Sequence, residues 1–165
     1  MENVLNEYGV IGSLLIDSAL FPEASGLSED DFTLAPLREV FRAMRRQFSE
    51  NGGFDALTIR TEAGQHCPEV MDALLMKTLE ITPTAANLPA YTAAVKEASL
   101  GRKLAVLGNE LLSSERTPAE ALGHAQEVIQ SLAESGGAGE ATTLTDALNT
   151  LCTRVERQSE GGEAP

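Results

Sequence analysis

No run of eighteen apolar residues occurs anywhere in these 165, and the chain does not open on a charged-then-apolar leader. A bilayer-spanning helix needs about twenty such residues and a secretory signal needs the leader, so neither membrane insertion nor secretion is expected. Cysteine is nearly absent. Cys67 and Cys152 lie far apart in different segments, and cytosolic disulfides are rare, which predicts two free thiols in a reducing cytoplasm. No Gly-Lys-Ser/Thr sequence exists, and Gly136-Gly137-Ala138-Gly139 follows no strand, so a phosphate-binding loop is excluded. His66, His124 and the two cysteines show no ligand-pair spacing, and neither histidine sits in a nucleophile motif. No catalytic residue, metal site or cofactor site is expected in this chain.

Positive charge is scarce as well. Twenty-five acids against twelve bases give a net charge of −13, and the lysines are Lys77, Lys96 and Lys103 alone. Tight binding to nucleic acid rests on several Lys/Arg contacts to phosphate. Strong autonomous DNA binding is therefore not expected, and a protein partner fits better.

What is abundant is helical periodicity. Val4, Leu5, Tyr8, Ile11 and Leu15 recur at helical spacing. Gly12 among them marks either a close backbone approach or a tolerated helix glycine. Ser28 and Asp31 frame an acidic helix start that resembles a capping box. From Pro36 to Phe48, Leu37, Val40, Phe41, Met44 and Phe48 fill one face, and Arg38, Arg42, Arg45 and Arg46 crowd the next. That arginine stripe is either an ion-paired, solvated face or a docking surface for an acidic partner or single-stranded DNA. Asn51-Gly52-Gly53 is a turn, Asp55 to Thr58 a capped helix start, and Pro68 to Leu79 a helix with Val70, Met71, Leu74 and Thr78 inward. Asn87 is placed to cap a helix carrying Leu88, Tyr91, Val95 and Ala98, which runs past Gly101. Pro89 falls just inside that start, where it loses no hydrogen bond.

These elements predict an all-α fold: a compact helical head over residues 1–100, then an antiparallel helical hairpin over 101–133. Leu100, Leu104, Leu107 and Leu111 form a narrow seam on the first arm, and Thr117 to Glu120 has the form of a capping box opening the second. The second arm carries a broader stripe of Ala121, Leu122, Ala125, Val128, Ile129 and Leu132. Two helices cannot enclose that width, whereas four can. The hairpin is therefore expected to pack on the head or on a second copy of itself. Residues 134–143 read as a flexible linker. Residues 144–158 read as a short helix with Leu144, Leu148, Leu151 and Val155 on one face, and 159–165 as a polar tail.

The wording of five segments, in order, resembles the amino-terminal domain of DnaB-type replicative DNA helicases. They are Asn6 to Asp17; Asp31-Phe32 with Leu37 to Met44; Gly53 to Asp55 with Thr58; Pro83 to Leu104; and Thr143 to Gly162. Leu37 and Thr33 depart from the family's usual histidine and tyrosine. The resemblance implies a non-catalytic assembly and docking domain of a hexameric, ATP-dependent bacterial or phage helicase acting in DNA replication. It implies hairpins paired into dimers, three dimers closing a ring, and docking of a DnaG-type primase and a helicase loader. Residues 144–158 would then clasp a motor domain outside this sequence, and ATP and Mg would belong only to that domain. Two rival readings are a free-standing collar mimic that binds a host helicase and a weak single-stranded-DNA-binding module using the arginine stripe.

Overall fold

A computed structural model describes residues 2–113 and 115–136 of the chain. All regular elements among them are helical, with no strand. The order is α1 (Glu2–Ile16), α2 (Ala35–Asn51), α3 (Ala56–Ala63), α4 (Met71–Ile81), α5 (Leu88–Ser113) and α6 (Pro118–Gly136), with short 3-10 turns at Ser18–Ala24, Glu29–Asp31 and Ala85–Asn87. They form two compact units that divide between Lys103 and Leu104, inside α5.

In the first unit α1 is the central element. Every side chain from Glu7 to Leu14 is buried, so this helix is enclosed on all sides over two turns. Its closest neighbour is α4, and the approach depends on glycine. A Cβ on Gly12 would lie 2.6 Å from both the Thr78 carbonyl oxygen and the Thr82 Cβ, well inside van der Waals contact. One on Gly9 would lie 2.7 Å from the Tyr91 ring. Of the two roles open to Gly12, close backbone approach is the one the fold uses. The Thr82 hydroxyl donates to the Tyr8 carbonyl across the same contact, at 3.4 Å.

The face expected of α2 is its core face: Leu37, Val40, Phe41 and Met44 have no exposed surface. Phe41 meets Phe32 at 4.8 Å and Phe21 at 5.7 Å between centroids, and Phe21 stacks on Phe48 at 5.0 Å. Pro36 sits in the first turn of α2, where its missing N–H costs nothing. Gly52, at φ +73°, ends the helix in the left-handed conformation that glycine adopts without strain.

Three local expectations shift. α4 begins at Met71 rather than Pro68, and Val70 is left exposed while Leu75 turns inward. At the entry to α5 the capping hydrogen bond belongs to Thr84, whose Oγ1 accepts from the Ala86 amide at 3.2 Å. Asn87 instead closes the 3-10 turn that precedes the helix. Leu5 is half exposed, because only the middle two turns of α1 are enclosed.

Two buried carboxylates fasten the segment between the 3-10 turn at Glu29–Asp31 and α2. Glu7, on α1, accepts from the Thr33 amide with both oxygens at 2.9 Å and from the Thr33 hydroxyl at 2.6 Å. Asp31 accepts from Ser99 Oγ at 2.6 Å and Lys103 Nζ at 2.9 Å, both on α5, and from the Ser28 amide at 2.7 Å. Burial pushes the Asp31 carboxyl up. The bonds from Ser99, Ser28 and Lys103, with the charge of Lys103, outweigh burial and hold it below its ordinary 3.8.

A carboxyl depressed in the fold contributes stability that is complete above its unfolded value and lost as pH falls through the folded one. Urea midpoints should therefore be flat from pH 7 to about pH 5 and fall below about pH 4. Asp31→Asn should show a smaller acid-dependent loss than the unaltered chain. An equal loss in both would remove Asp31 from that role.

Candidate functional site

The second unit contains the end of α5 and all of α6. Thr117 opens α6 as the spacing predicts. Its amide and its hydroxyl each donate to Glu120 Oε2 at 2.8 Å, and the Glu120 amide returns to Thr117 Oγ1 at 3.4 Å. Those bonds from Thr117, backbone first and side chain second, and then the nearby charge of Arg116, hold the Glu120 carboxyl below its ordinary value. Between the arms, His124 Nε2 lies 3.2 Å from Glu110 Oε2. The cap sets where α6 starts, and so which side chains share a face.

That face is open. None of the described side chains of α6 is buried, although Ala121, Leu122, Ala125, Val128, Ile129 and Leu132 all lie within one arc. Leu122 is 53% exposed, and the others are half-buried. On the α5 arm Leu107 is the buried centre, at 5%, and Leu111 is half-buried. Leu104 is 39% exposed, and Val106 and Leu112 reach 57% and 87%. The seam residues Leu104, Leu107, Leu111, Leu122, Val128, Ile129 and Leu132 therefore gather in one unit, but only Leu107 is buried among them. Val106 and Leu112 add to the uncovered apolar surface. Their signal in the sequence was weak, because they fall outside the row centred on Leu107.

The arginine stripe of α2 is spent within the head. Arg38 Nε donates to the Phe32 carbonyl at 2.8 Å, and Arg42 pairs with Glu39 at 2.6 Å. Arg45 pairs with Glu29 at 3.2 Å, donates to the Leu27 carbonyl and lies over the Phe41 ring, 5.3 Å from its centroid. Arg46 pairs with Glu62 at 2.8 Å. Arg45 joins the turn at Glu29 to α2, and Arg46 joins α2 to α3. Exposed pairs of this kind contribute little stability each, but they set a carboxylate beside three of the four arginines. Leu144, Leu148, Leu151 and Val155 lie outside the described residues.

Among the described residues no three His, Cys, Asp or Glu side chains cluster so as to hold a metal. Cys67 is free and half-buried. No helix among them is long and apolar enough to cross a membrane.

Comparison with known proteins agrees with that architecture. The N-terminal domain of DnaB helicase from Mycobacterium tuberculosis superposes with a TM-score of 0.65 at 22% identity, over 75% of this chain and 93% of that one. The Replicative DNA helicase DnaB of Geobacillus stearothermophilus is 30% identical over 107 residues, 62% of this chain. The match takes in only 24% of that relative, so this chain corresponds to about a quarter of it. The family described as DnaB-like helicase N terminal domain matches residues 1–97, which is most of the first unit and the first turns of α5. The chain belongs to the DnaB-like helicase N-terminal domain family.

Proposed function

We propose that this chain is a non-catalytic assembly and docking module of a hexameric replicative DNA helicase, working in the cytoplasm. The observation that carries the reading is the apolar row of α6, which no side chain of the described structure buries. A row of that width becomes covered when two hairpins pack face to face as four helices. Such a pair is the unit from which three dimers would close a ring. ATP hydrolysis, Mg2+ binding and translocation along single-stranded DNA belong to a motor domain carried elsewhere in such a helicase. Leu144, Leu148, Leu151 and Val155 would dock on that motor.

The head supplies the docking surface for a DnaG-type primase and for a helicase loader. Little direct DNA binding is expected of it, because the net charge is −13 and all four stripe arginines have partners in the fold. The same two facts disfavour the single-stranded-DNA-binding reading, and membership of the family favours a helicase component over a collar mimic. The docking half is tested by titrating a purified DnaG-type primase into the full chain and following its mass by light scattering. A complex that forms at micromolar concentration and survives a single-strand-degrading nuclease is the expected result. No complex at hundreds of micromolar would remove primase docking.

A further inference from the structure

The inward row of α5 changes character along its length. Leu88 and Val95 are fully buried apolar contacts of the first unit. Ser99, one turn on and equally buried, is polar, and the next inward positions are Arg102 and Lys103. All three end on one residue. Ser99 and Lys103 donate to the Asp31 side chain, as described, and Arg102 donates to the Asp31 carbonyl at 2.5 Å. So the last turn of α5 on the head is held by a carboxylate and a carbonyl, where the earlier turns are held by apolar packing. The compact unit ends at the same place, after Lys103.

Gly101 lies inside that turn. Its backbone is not in a region that demands glycine, and an added Cβ would find nothing within 4 Å. No packing requirement explains a glycine there, yet glycine in a helix interior weakens the helix. A polar anchor of α5 and one of the helix's two glycines therefore share one turn.

We infer that residues 99–103 form a latched hinge in α5, with Asp31 as the positioning residue that keeps it shut and Gly101 as the point of yield. With the latch closed, the turn at 99–103 is held on the head. When the Asp31 contacts are lost, that turn opens locally while the apolar core around α1 and α2 stays intact. This device stands on the geometry of the head alone and is independent of the assembly reading.

The test is amide hydrogen exchange on the full chain, comparing residues 99–107 with residues 37–48 of α2. Hydrogen bonds to a charged group are strong enough that Asp31→Asn should speed exchange in the first window by about ten- to a hundredfold. The second window should rise by less, because only the share of Asp31 in global stability reaches it. Lys103→Met, which removes one partner, should give a smaller rise confined to the same window. Gly101→Ala should slow exchange there about fivefold, the equivalent of the alanine-over-glycine helix preference. Unchanged exchange at 99–107 in both Asp31→Asn and Lys103→Met would overturn the latch. A rise spread equally over α2, or an Asp31→Asn chain that does not fold, would also overturn it, since a latch releases one turn only. A rise rather than a fall with Gly101→Ala would overturn the hinge.

Discussion

Replacing Gly12 by alanine should destabilise the head by about 2–3 kcal/mol, near the upper end for overpacking a tight core. In a domain of this size that is a melting point lower by roughly 10–20 °C. The size of the effect comes from what the new methyl group would meet. A side chain alone could rotate away, but the Thr78 carbonyl belongs to the backbone of α4 and moves only if the helix moves. Thr78 and Thr82 are themselves buried, and the Thr82 hydroxyl is tied to α1 through the Tyr8 carbonyl. Relief of the clash therefore separates the two helices that pack most extensively in the head. Gly108→Ala is the control, because a Cβ there meets nothing within 4 Å. It should be neutral or stabilise by about 1 kcal/mol through helix propensity alone. Equal melting points for Gly12→Ala and the unaltered chain would mean that α1 and α4 do not meet at this position.

The other large effect expected is on assembly. Leu112 and Leu122 are among the most exposed apolar side chains in the second unit, and neither has a structural duty visible within one chain. Changing both to lysine should leave helicity and the melting transition of the head intact, since neither residue belongs to its core. Self-association should weaken by at least about a hundredfold. Burying a leucine is worth about 1.5–3 kcal/mol, a face-to-face pair contains each position twice, and every 1.4 kcal/mol is tenfold in the dissociation constant. The lysines add a desolvation cost and repulsion between copies. If the doubly substituted chain assembled as well as the unaltered one, the pairing surface would have to lie elsewhere.

Much of this was readable before any coordinates, and the reason differs from element to element. The core face of α2 was legible because Leu37, Val40, Phe41 and Met44 obey a helical period without exception and carry no competing polar residue. The cap at Thr117 was legible because both partners sit three residues apart. α1 was read as amphipathic with one face inward, yet Glu7 and Ser13 are buried in it too. Periodicity cannot report a helix that is surrounded, and it assigned no partner to Glu7. Asn87 reads as the cap because a one-turn 3-10 helix before α5 leaves no pattern of its own. The shift of α4 by three residues has a similar origin, since Pro68 is an ordinary helix opener and nothing local marks Met71.

The long-range polar contacts were invisible for a different reason. Asp31 reads locally as a capping residue, which it is, and its bonds to Ser99 and Lys103 span 68 and 72 residues of sequence. No short window connects them. The arginine stripe had two readings for the same cause: Glu29 and Glu62, which pair with Arg45 and Arg46, are close in space but not adjacent in the chain. The division between units was placed at residue 100 from the leucine row, and the compact unit runs on to Lys103 because the Asp31 contacts hold that turn.

The central claim is that the apolar row of α6 is only partly covered in one chain because a second copy completes its burial. Sedimentation equilibrium of the full 17.5-kDa chain, across about 1–100 μM at physiological salt, tests this most directly. The account predicts a mass rising to at least twice that of the chain, in multiples of two, and falling back to one chain in the Leu112→Lys, Leu122→Lys variant. A single-chain mass throughout the concentration range would contradict it.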